Sequence, residues 1–530
     1  MPGFFYLEFE MLNHSQRNRI VTNLVVVDCS SKIPSLTKAL SSIRLGDFYV
    51  FALDGDLYNY PKSRLYCGID TSFREVGRFL VGQQIADKLS MSSKSALRVL
   101  IATDADSRGD SLAVDISEII SWHENIGRAR IHGLDEESVA IAFANIEPVR
   151  IKDSWPFLTH RILDRVIECA YVPLDSKIDS SLHVDRSVSA VLGIAARESL
   201  PFSEVTLAVP ASDGRDNFFC RLYVNSQNKR QVGETLSMAQ DFVAKGGVFQ
   251  VGLSKPAPKL KPWSYSAALI NVARQTDRSI FEINNSLTHL YRSGLISYPF
   301  SECQAVSAEA IATLLEIASS NGLRFDPSKI QVFSRSGRHA NESSRPLSNN
   351  VNINKPKGLS DPNSYVLSLI TRNLLSCGLP FSLSKPDETS LPSWAKGLEF
   401  RRLICQRSRT WTTKPVSTKV RAIPIDELIV DILAKNKIGY PLNWLSTVDK
   451  VSKFGMFSED ACLTKKALAW MKEVPRTLLD PASASKIDIM ISESSERGEG
   501  DESPQSTLAR IISHLSIGES VYKALERGKV

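Results

Sequence analysis

Two short apolar runs that each end on an aspartate place the strongest limit on the fold. "LVVVD" covers residues 24–28 and "LRVLIATD" covers 97–104. Unbroken aliphatic runs of this length suit strands buried on both faces, the habit of parallel sheets. Each aspartate then stands at the carboxyl end of its strand. The second run passes through "ADSRG" into "DSLAVDISEIISW", an amphipathic helical pattern. Strand, carboxylate, glycine turn and helix form an α/β unit, whose ligands bind beyond the carboxyl ends of the strands.

The acids there are spaced for a shared task. Asp104 and Asp106 lie two residues apart, and Asp110 follows four further on. Side chains at i and i+2 of an extended segment share a face. Two carboxylates held close repel unless a cation neutralises them, and Mg²⁺ does so through oxygen ligands and water. Asp28 offers a third carboxylate. The plainer alternative is that these acids cap turns and helices. Tyr298, in "YRSGLISYPFSEC" (291–303), is open in the same way. It is either a half-buried core aromatic or a nucleophile.

Beyond about residue 155 the pattern changes. "RILDRVIECAYVPL", "RSVSAVLGIAARE", "SAALINVARQT", "IFEINNSLTHLYRSG" and "SEDACLTKKALAWMKEV" read as helices. Residues 204–260 alternate as an antiparallel sheet does. Residues 331–364 read as loops, 491–505 as a disordered acidic segment, and "STLARIISHLSIGESVYKALERG" as a helical pair. The 530 residues exceed one core, so roughly two to four domains are expected. No long apolar run suggests a membrane span, and the N-terminal stretch does not read as a secretory signal. The eight cysteines form no CxxC pair, which argues against zinc ribbons and suits a reducing compartment. A net charge of +6 points only weakly to an acidic partner.

Ordered fragments of the chain resemble type IA DNA topoisomerases. "VVVDCSSK" (25–32) is similar to the first TOPRIM motif, VIVESPxK, with Asp28 on its glutamate and Lys32 on its lysine. "ATDADSRGDSLA" (102–113) resembles ATDxDREGExIA. Asp104 and Asp106 fall on the metal-binding aspartates, and Arg108 stands where the family has a third acid. Asp110 falls on the next acid, where it would restore part of the charge. "FALDGDLYNYP" (51–61) is similar to VxSxGHLxxLP without the histidine. "HRILDRVIECAYVPL" (160–174) resembles ARRxLDRLVGYxLSPL through Arg161, Asp164 and Arg165. "SVSAVLGIAARES" (187–199) is similar to the helix after GRVQS, with Arg186 against the motif's arginine. "PWSYSAALINVA" (262–273) resembles PYSLSALQQEA. "INNSLTHLYRSGLISYPFSE" (283–302) resembles AxxLYExGLITYPRTDS, with Tyr298 on the active-site tyrosine and Phe300 in place of an arginine. "RHANESSRPL" (338–347) resembles AHEAIRPT through Ala340, Glu342, Arg345 and Pro346, with Asn341 replacing the histidine and His339 one residue early. Residues 415–444 resemble PxRYTEASLIKxLExxGIGRPSTY, with Tyr440 for an arginine.

The resemblance implies a multidomain α/β and α+β protein. A Rossmann-like TOPRIM domain would span 20–150. A toroidal body would follow, with a helical DNA-groove domain at 151–203 and 400–480. A β-rich arch is expected at 204–262 and 365–399, and the tyrosine domain at 263–364. A variable, partly disordered tail would fill 481–530, without zinc ribbons. The implied activity is cleavage of one DNA strand through a 5′-phosphotyrosine, strand passage, and religation without ATP, relaxing negative supercoils. Tyr298 would act with Lys32, Asp28 and Glu342, and Mg²⁺ would sit at Asp28, Asp104 and Asp106. Arg161, Arg165, Arg186, Arg345 and Asn341 would contact DNA, and Trp155 and Phe157 are stacking candidates. The basic run at 400–414 is a further phosphate contact. Phe300 leaves the site short of one cation, for which Lys32, then Arg338 and Arg345, are the expected substitutes. The expected state is a monomer in the bacterial cytoplasm or nucleoid. The departures at Arg108, Phe300 and Asn341 keep open an alternative, a weakly active or inactive single-stranded DNA-binding accessory protein. A nicking-closing enzyme is a third.

Overall fold

The computed structural model describes residues 21–43, 45–63, 65–171, 184–333, 341–353, 361–405, 417–496 and 503–527. The first unit is a four-stranded parallel sheet built from β1 (Val21–Val27), β2 (Phe48–Ala52), β5 (Ala96–Ile101) and β6 (Ile126–Arg128). Their order is β2-β1-β5-β6, with Val26 opposite both Phe51 and Ile101. A short antiparallel pair, β3 (Tyr58–Asn59) and β4 (Phe79–Leu80), lies between β2 and β5 in sequence.

Alternation within the apolar runs explains the sandwich. Leu24, Val26, Val99 and Ile101 face α2 (Gln83–Lys94) and α3 (Ser107–Ile119). Val25, Val27, Leu100 and Ala102 face α1 (Ile33–Ser42) and α4 (Glu136–Ala144). Both faces are buried, so neither strand needs a polar side.

A larger helical core follows. It draws on α5 (Trp155–Ala170) and α6 (Arg186–Ala195), and later on α8 (Tyr265–Thr276), α9 (Ile280–Arg292), α10 (Ala308–Ser320) and α11 (Pro362–Gly378). Ser279 and Glu282 form a reciprocal capping box that starts α9, the helix leading to Tyr298. The remaining helices are α7 (Lys229–Ala244), α12 (Ile425–Lys435), α13 (Trp444–Lys453), α14 (Lys465–Met471), α15 (Pro481–Glu496), α16 (Pro504–Leu515) and α17 (Gly518–Glu526).

Three sequence expectations need correction. Residues 204–260 do not make one sheet. β7 (Ser203–Pro210) and β8 (Asn217–Val224) pair with β12 (Lys419–Ala422), while β9 (Val251–Pro256) joins β10 (Phe381–Pro386) and β11 (Arg402–Cys405). Between them, α7 packs Val232, Leu236, Ala239 and Val243 on the β7–β8 face, a helical spacing. The helix expected across 458–474 is confined to α14, because Ala461 turns with φ +54° and Thr464 caps the helix. Finally, the described residues beyond 481 pack as helices where a tail was expected; 497–502, within the segment expected to be disordered, lie outside the described residues. Residues 491–496 end α15, and α16 and α17 bury Leu508, Ile511, Leu515, Val521 and Leu525 in the main helical core.

Gly193 marks how tightly that C-terminal part closes on α6. A methyl group there would lie 1.8 Å from the Leu479 carbonyl oxygen, a backbone atom that cannot yield locally. Gly193→Ala is expected to destabilise by about 2 kcal/mol or more. Gly233, on α7, has open space around it, so Gly233→Ala should stabilise by about 0.5–1 kcal/mol. Paired urea unfolding midpoints check both. A neutral Gly193→Ala would mean that α6 and the Leu479 turn are not in contact.

Candidate active site

The carboxyl ends of β1 and β5 bring Asp28 and Asp104 to one buried lysine. Lys32, only 2 % exposed, donates to Asp28 Oδ1 at 2.8 Å and also to Asp104 Oδ1. Burial opposes each charge, but the mutual attraction wins for Lys32 and Asp28. The Lys32 ammonium is held above the usual lysine range and the Asp28 carboxyl below the usual carboxylate range. For Asp104 burial wins, aided by Asp28 and Asp106, and its carboxyl is pushed up to about 6 despite Lys32.

Asp106 caps α3, accepting from Gly109 N at 2.6 Å. Gly109 is required, since a methyl there would stand 2.1 Å from the Asp104 carbonyl oxygen. Asp110 does not add its charge to this cluster, as the sequence suggested. It turns inward and pairs with Arg128 at 2.9 Å and Arg130 at 3.1 Å. The buried Arg128, at the end of β6, and the half-buried Arg130 are its reason.

The end of α9 and the following turn carry two tyrosines to these acids. Tyr298 donates its hydroxyl to Asp106 Oδ2 at 2.5 Å, and Tyr291 donates to Asp104 Oδ1. Their rings meet edge to face with centroids 5.7 Å apart. Lys32 sits 5.0 Å from the Tyr291 ring centre. Burial and the neighbouring aspartates push both phenols well above their ordinary pKa, and Arg108 partly opposes this at Tyr298. Tyr291 and His132 escaped the sequence reading. Tyr291 lies in the last turn of α9, seven residues before Tyr298, and its hydroxyl reaches Asp104. His132 follows β6, at the carboxyl edge of the sheet where ligand-side residues collect.

His132 helps lock the tyrosine turn. Its carbonyl accepts from Tyr298 N at 2.8 Å, and its Nδ1 lies 2.8 Å from Asn341 Oδ1. Asn341 also donates to the Ala105 carbonyl at 2.9 Å. Asn341 therefore stitches the acidic loop to the tyrosine segment, where the sequence suggested a phosphate contact. Glu342 is likewise outside the acid cluster. It accepts from Ser307 N at 2.5 Å and from Arg345 Nε at 2.8 Å. Arg345 is buried with it and is spent on that pair, not on an exposed groove.

The three helix arginines divide. Arg165 is buried and donates to the carbonyls of Pro61, Ser63, Tyr66 and Cys67. Arg186 is buried among Asp164, Asp488 and His160. Both guanidiniums have protein partners, where the sequence suggested DNA contacts, and both border the cavity of about 480 Å³ that Arg161 also lines. Arg161 is more exposed, paired with Glu75 at 2.9 Å, and lines two adjoining cavities with Tyr60 and Phe157. Trp155 opens α5 and is half-buried. In the basic run, Arg402 makes a buried two-pronged pair with Asp213 over the Phe218 ring. Residues 406–414 of that run, and Arg338, His339 and Ala340, lie outside the described residues.

Two cavities meet at this site. One of about 220 Å³ is lined by Asp106, Arg108, Tyr298, Phe300 and Tyr440. Another of about 370 Å³ is lined by Asp28, Lys32, Asp104, Asp106 and Arg292. Among the described residues, no three His, Cys, Asp or Glu side chains come together as a ready-made metal cage. Lys32 bridges Asp28 and Asp104 instead. Asp104 and Asp106 still suit a Mg²⁺ ion, which is commonly held by one or two carboxylates and several waters.

No protein-family model matches the chain. A DNA topoisomerase 1 of Campylobacter jejuni is 28 % identical over 176 residues, covering 32 % of this chain and 25 % of that protein. A DNA topoisomerase 1 of Pseudomonas aeruginosa is 24 % identical over 315 residues, covering 56 % and 36 %. These matches span about a quarter to a third of the relatives' own length. The full-length topoisomerase I structure from Thermotoga maritima superposes with a TM-score of 0.64 and 17 % identity, over 96 % of this chain and 91 % of that one. The fold is that of type IA topoisomerases. The chain is a distant homologue of bacterial DNA topoisomerase I.

The division among the arginines can be measured. Arg165→Ala strands several buried carbonyls, so a loss of about 3 kcal/mol is expected. Arg161→Ala breaks a partly exposed pair and should cost about 1 kcal/mol or less. Urea denaturation of the two variants checks this. Equal losses would overturn the structural assignment of Arg165.

Proposed function

We propose that this chain is a type IA DNA topoisomerase that cuts one strand on Tyr298, passes a strand and reseals without ATP. The observation that carries the reading is the hydrogen bond from Tyr298 to Asp106, beside the Lys32-bridged acids. A phenol ionises near pH 10 and attacks poorly while protonated. Asp106 is within hydrogen-bond reach of that proton and is suited to accept it as the tyrosine oxygen bonds to phosphorus. The P–O3′ bond breaks, the 3′ oxygen leaves and gains a proton, and the 5′ phosphate stays on Tyr298. One phosphate ester replaces another, so resealing runs backward with no outside energy source.

A Mg²⁺ ion at Asp104 and Asp106 would supply charge neutralisation at the phosphate. Lys32 keeps Asp28 and Asp104 from repelling each other. Arg161, with Tyr60 and Phe157, supports a single-strand path, since cations track the backbone and aromatic rings stack on bases. The second reading, an accessory single-strand binder, rests on Phe300. Its ring packs on Tyr298 where the family places a cation.

Incubation with a single-stranded oligonucleotide and denaturant quenching should trap a covalent 5′-phosphate adduct on Tyr298. Tyr298→Phe is expected to lose the adduct and keep strand binding. Asp106→Asn should slow adduct formation about 10²–10⁴-fold. Strand binding without an adduct in the wild type would favour the accessory reading. An undiminished adduct in Tyr298→Phe would remove Tyr298 as nucleophile.

Replacing Asp104 and Asp106 together by alanine addresses the metal. Calorimetric Mg²⁺ affinity is expected to fall at least tenfold, about 1.4 kcal/mol, with single-strand binding reduced less. Unchanged Mg²⁺ affinity would remove these aspartates as its ligands.

A further inference from the structure

We infer that Arg108 is the cation that meets the scissile phosphate, in place of the arginine that Phe300 displaces; this rests on the topoisomerase reading above. Phe300 offers no donor. Its ring lies edge-on to Tyr298 at 5.4 Å and to Tyr265 at 5.3 Å. Two of the three substitutes suggested by sequence are occupied. Lys32 is buried between Asp28 and Asp104, and withdrawing it would leave carboxylates buried and unpaired. Arg345 is buried on Glu342. Arg338 lies outside the described residues.

Arg108 has what the others lack. It stands at the junction of the two cavities, lining the one with Tyr298 and Phe300 and the one with the acids. Its side chain is 43 % exposed, and its salt bridge is to Asp56, itself 65 % exposed, at 2.9 Å. Exposed pairs of this kind contribute little and exchange readily. A phosphate can therefore take the place of Asp56 on the guanidinium, with the two-pronged geometry that arginine favours. The charge balance calls for such a group. Lys32 and a Mg²⁺ ion would only offset the charges of Asp28, Asp104 and Asp106, so the phosphodiester's own negative charge would still lack a partner. Arg292 is the rival. It lines the acid cavity, which Phe300 also reaches, but not the one lined by Tyr298.

The test is single-turnover cleavage of a 3′-labelled single-stranded oligonucleotide by the full chain, read as label joined to protein, with strand binding measured in parallel. Arg108→Ala is expected to slow cleavage about a hundredfold, while strand binding falls less than about tenfold. Arg108→Lys should recover part of the rate. Phe300→Arg in the Arg108→Ala background should also recover part of it, because it returns a cation to the phosphate from the other side. Lys435→Ala, a remote exposed charge, controls for net charge. Circular dichroism melts confirm that each variant is folded. Cleavage by folded Arg108→Ala within threefold of wild type would overturn the inference and leave the topoisomerase reading standing. So would a loss in Arg292→Ala with Arg108→Ala unaffected. A wild type that binds the strand but never forms the adduct would overturn the parent reading, and this inference with it.

Discussion

The Lys32 ammonium between two strand ends is the contact on which the site depends. β1 and β5 are adjacent and parallel, so the fold itself brings Asp28 and Asp104 together. Without a cation they would repel across a low-dielectric gap, where like charges weigh most. Lys32 satisfies both at once from the turn that follows β1. Asp104 accepts both Lys32 and Tyr291 on one oxygen, Oδ1. Asp106, next along, is fixed by its own helix cap and accepts Tyr298. The position of the phenol thus traces back to the pairing of two strands and one buried charge.

The seam between the acidic loops and the tyrosine segment is largely polar. It includes the two tyrosine–aspartate bonds, Asn341 to the Ala105 carbonyl, Tyr298 N to the His132 carbonyl, and Ser35 to the Arg292 carbonyl. Each such bond can be exchanged for one to water at a small net cost. The apolar layers on either side of the seam cannot be opened so cheaply, since burial is worth about 25 cal/mol per Å². On the topoisomerase reading proposed above, strand passage would use a seam of the first kind. Tyr298 itself is only 4 % exposed, so on that reading a strand would reach it by parting this seam.

What could be read from sequence followed the strength of the local pattern. The parallel strands and their terminal acids were legible because a run such as "LVVVD" has few other uses. The capped helix before Tyr298 was legible for the same reason. The protein partners of the arginines were not, because a buried structural guanidinium and a phosphate contact look alike in one dimension. Arg165 faces a loop of carbonyls that lies about a hundred residues away in sequence. Arg186 depends on Asp488, three hundred residues away. Asp110 pairs with Arg128, 18 residues further on, which no spacing rule joins to it. Glu342 pairs with Arg345 at i,i+3, a spacing visible in the sequence, but sequence alone does not show that the pair is buried. α7 was missed because alternation in the flanking strands was extended across a helical spacing.

The departures around Tyr298 gain meaning when sorted by which side of the seam they occupy. Phe300, on the tyrosine turn, and Tyr440 both put aromatic rings where the resemblance has arginines. Phe300 joins Tyr298 and Tyr265, and Tyr440 meets the His160 ring at 4.6 Å. His160 stays neutral there, because burial and Arg186 press its pKa down to about 3. On the tyrosine turn apolar packing thus replaces charge, while Tyr440 also accepts from Ser107 Oγ at 3.2 Å, on α3 itself. Positive charge enters instead at Arg108, on the same helix that Asp106 caps. A cation carried on the tyrosine's own turn would travel with a phosphate bound to that tyrosine. A cation on α3 stays with the acids when the seam opens. On the assignment of Arg108 made above, the charge that assists cleavage is then absent while the strand is held open. It returns to the phosphate only when Tyr298 comes back to Asp106, which ties resealing to closure.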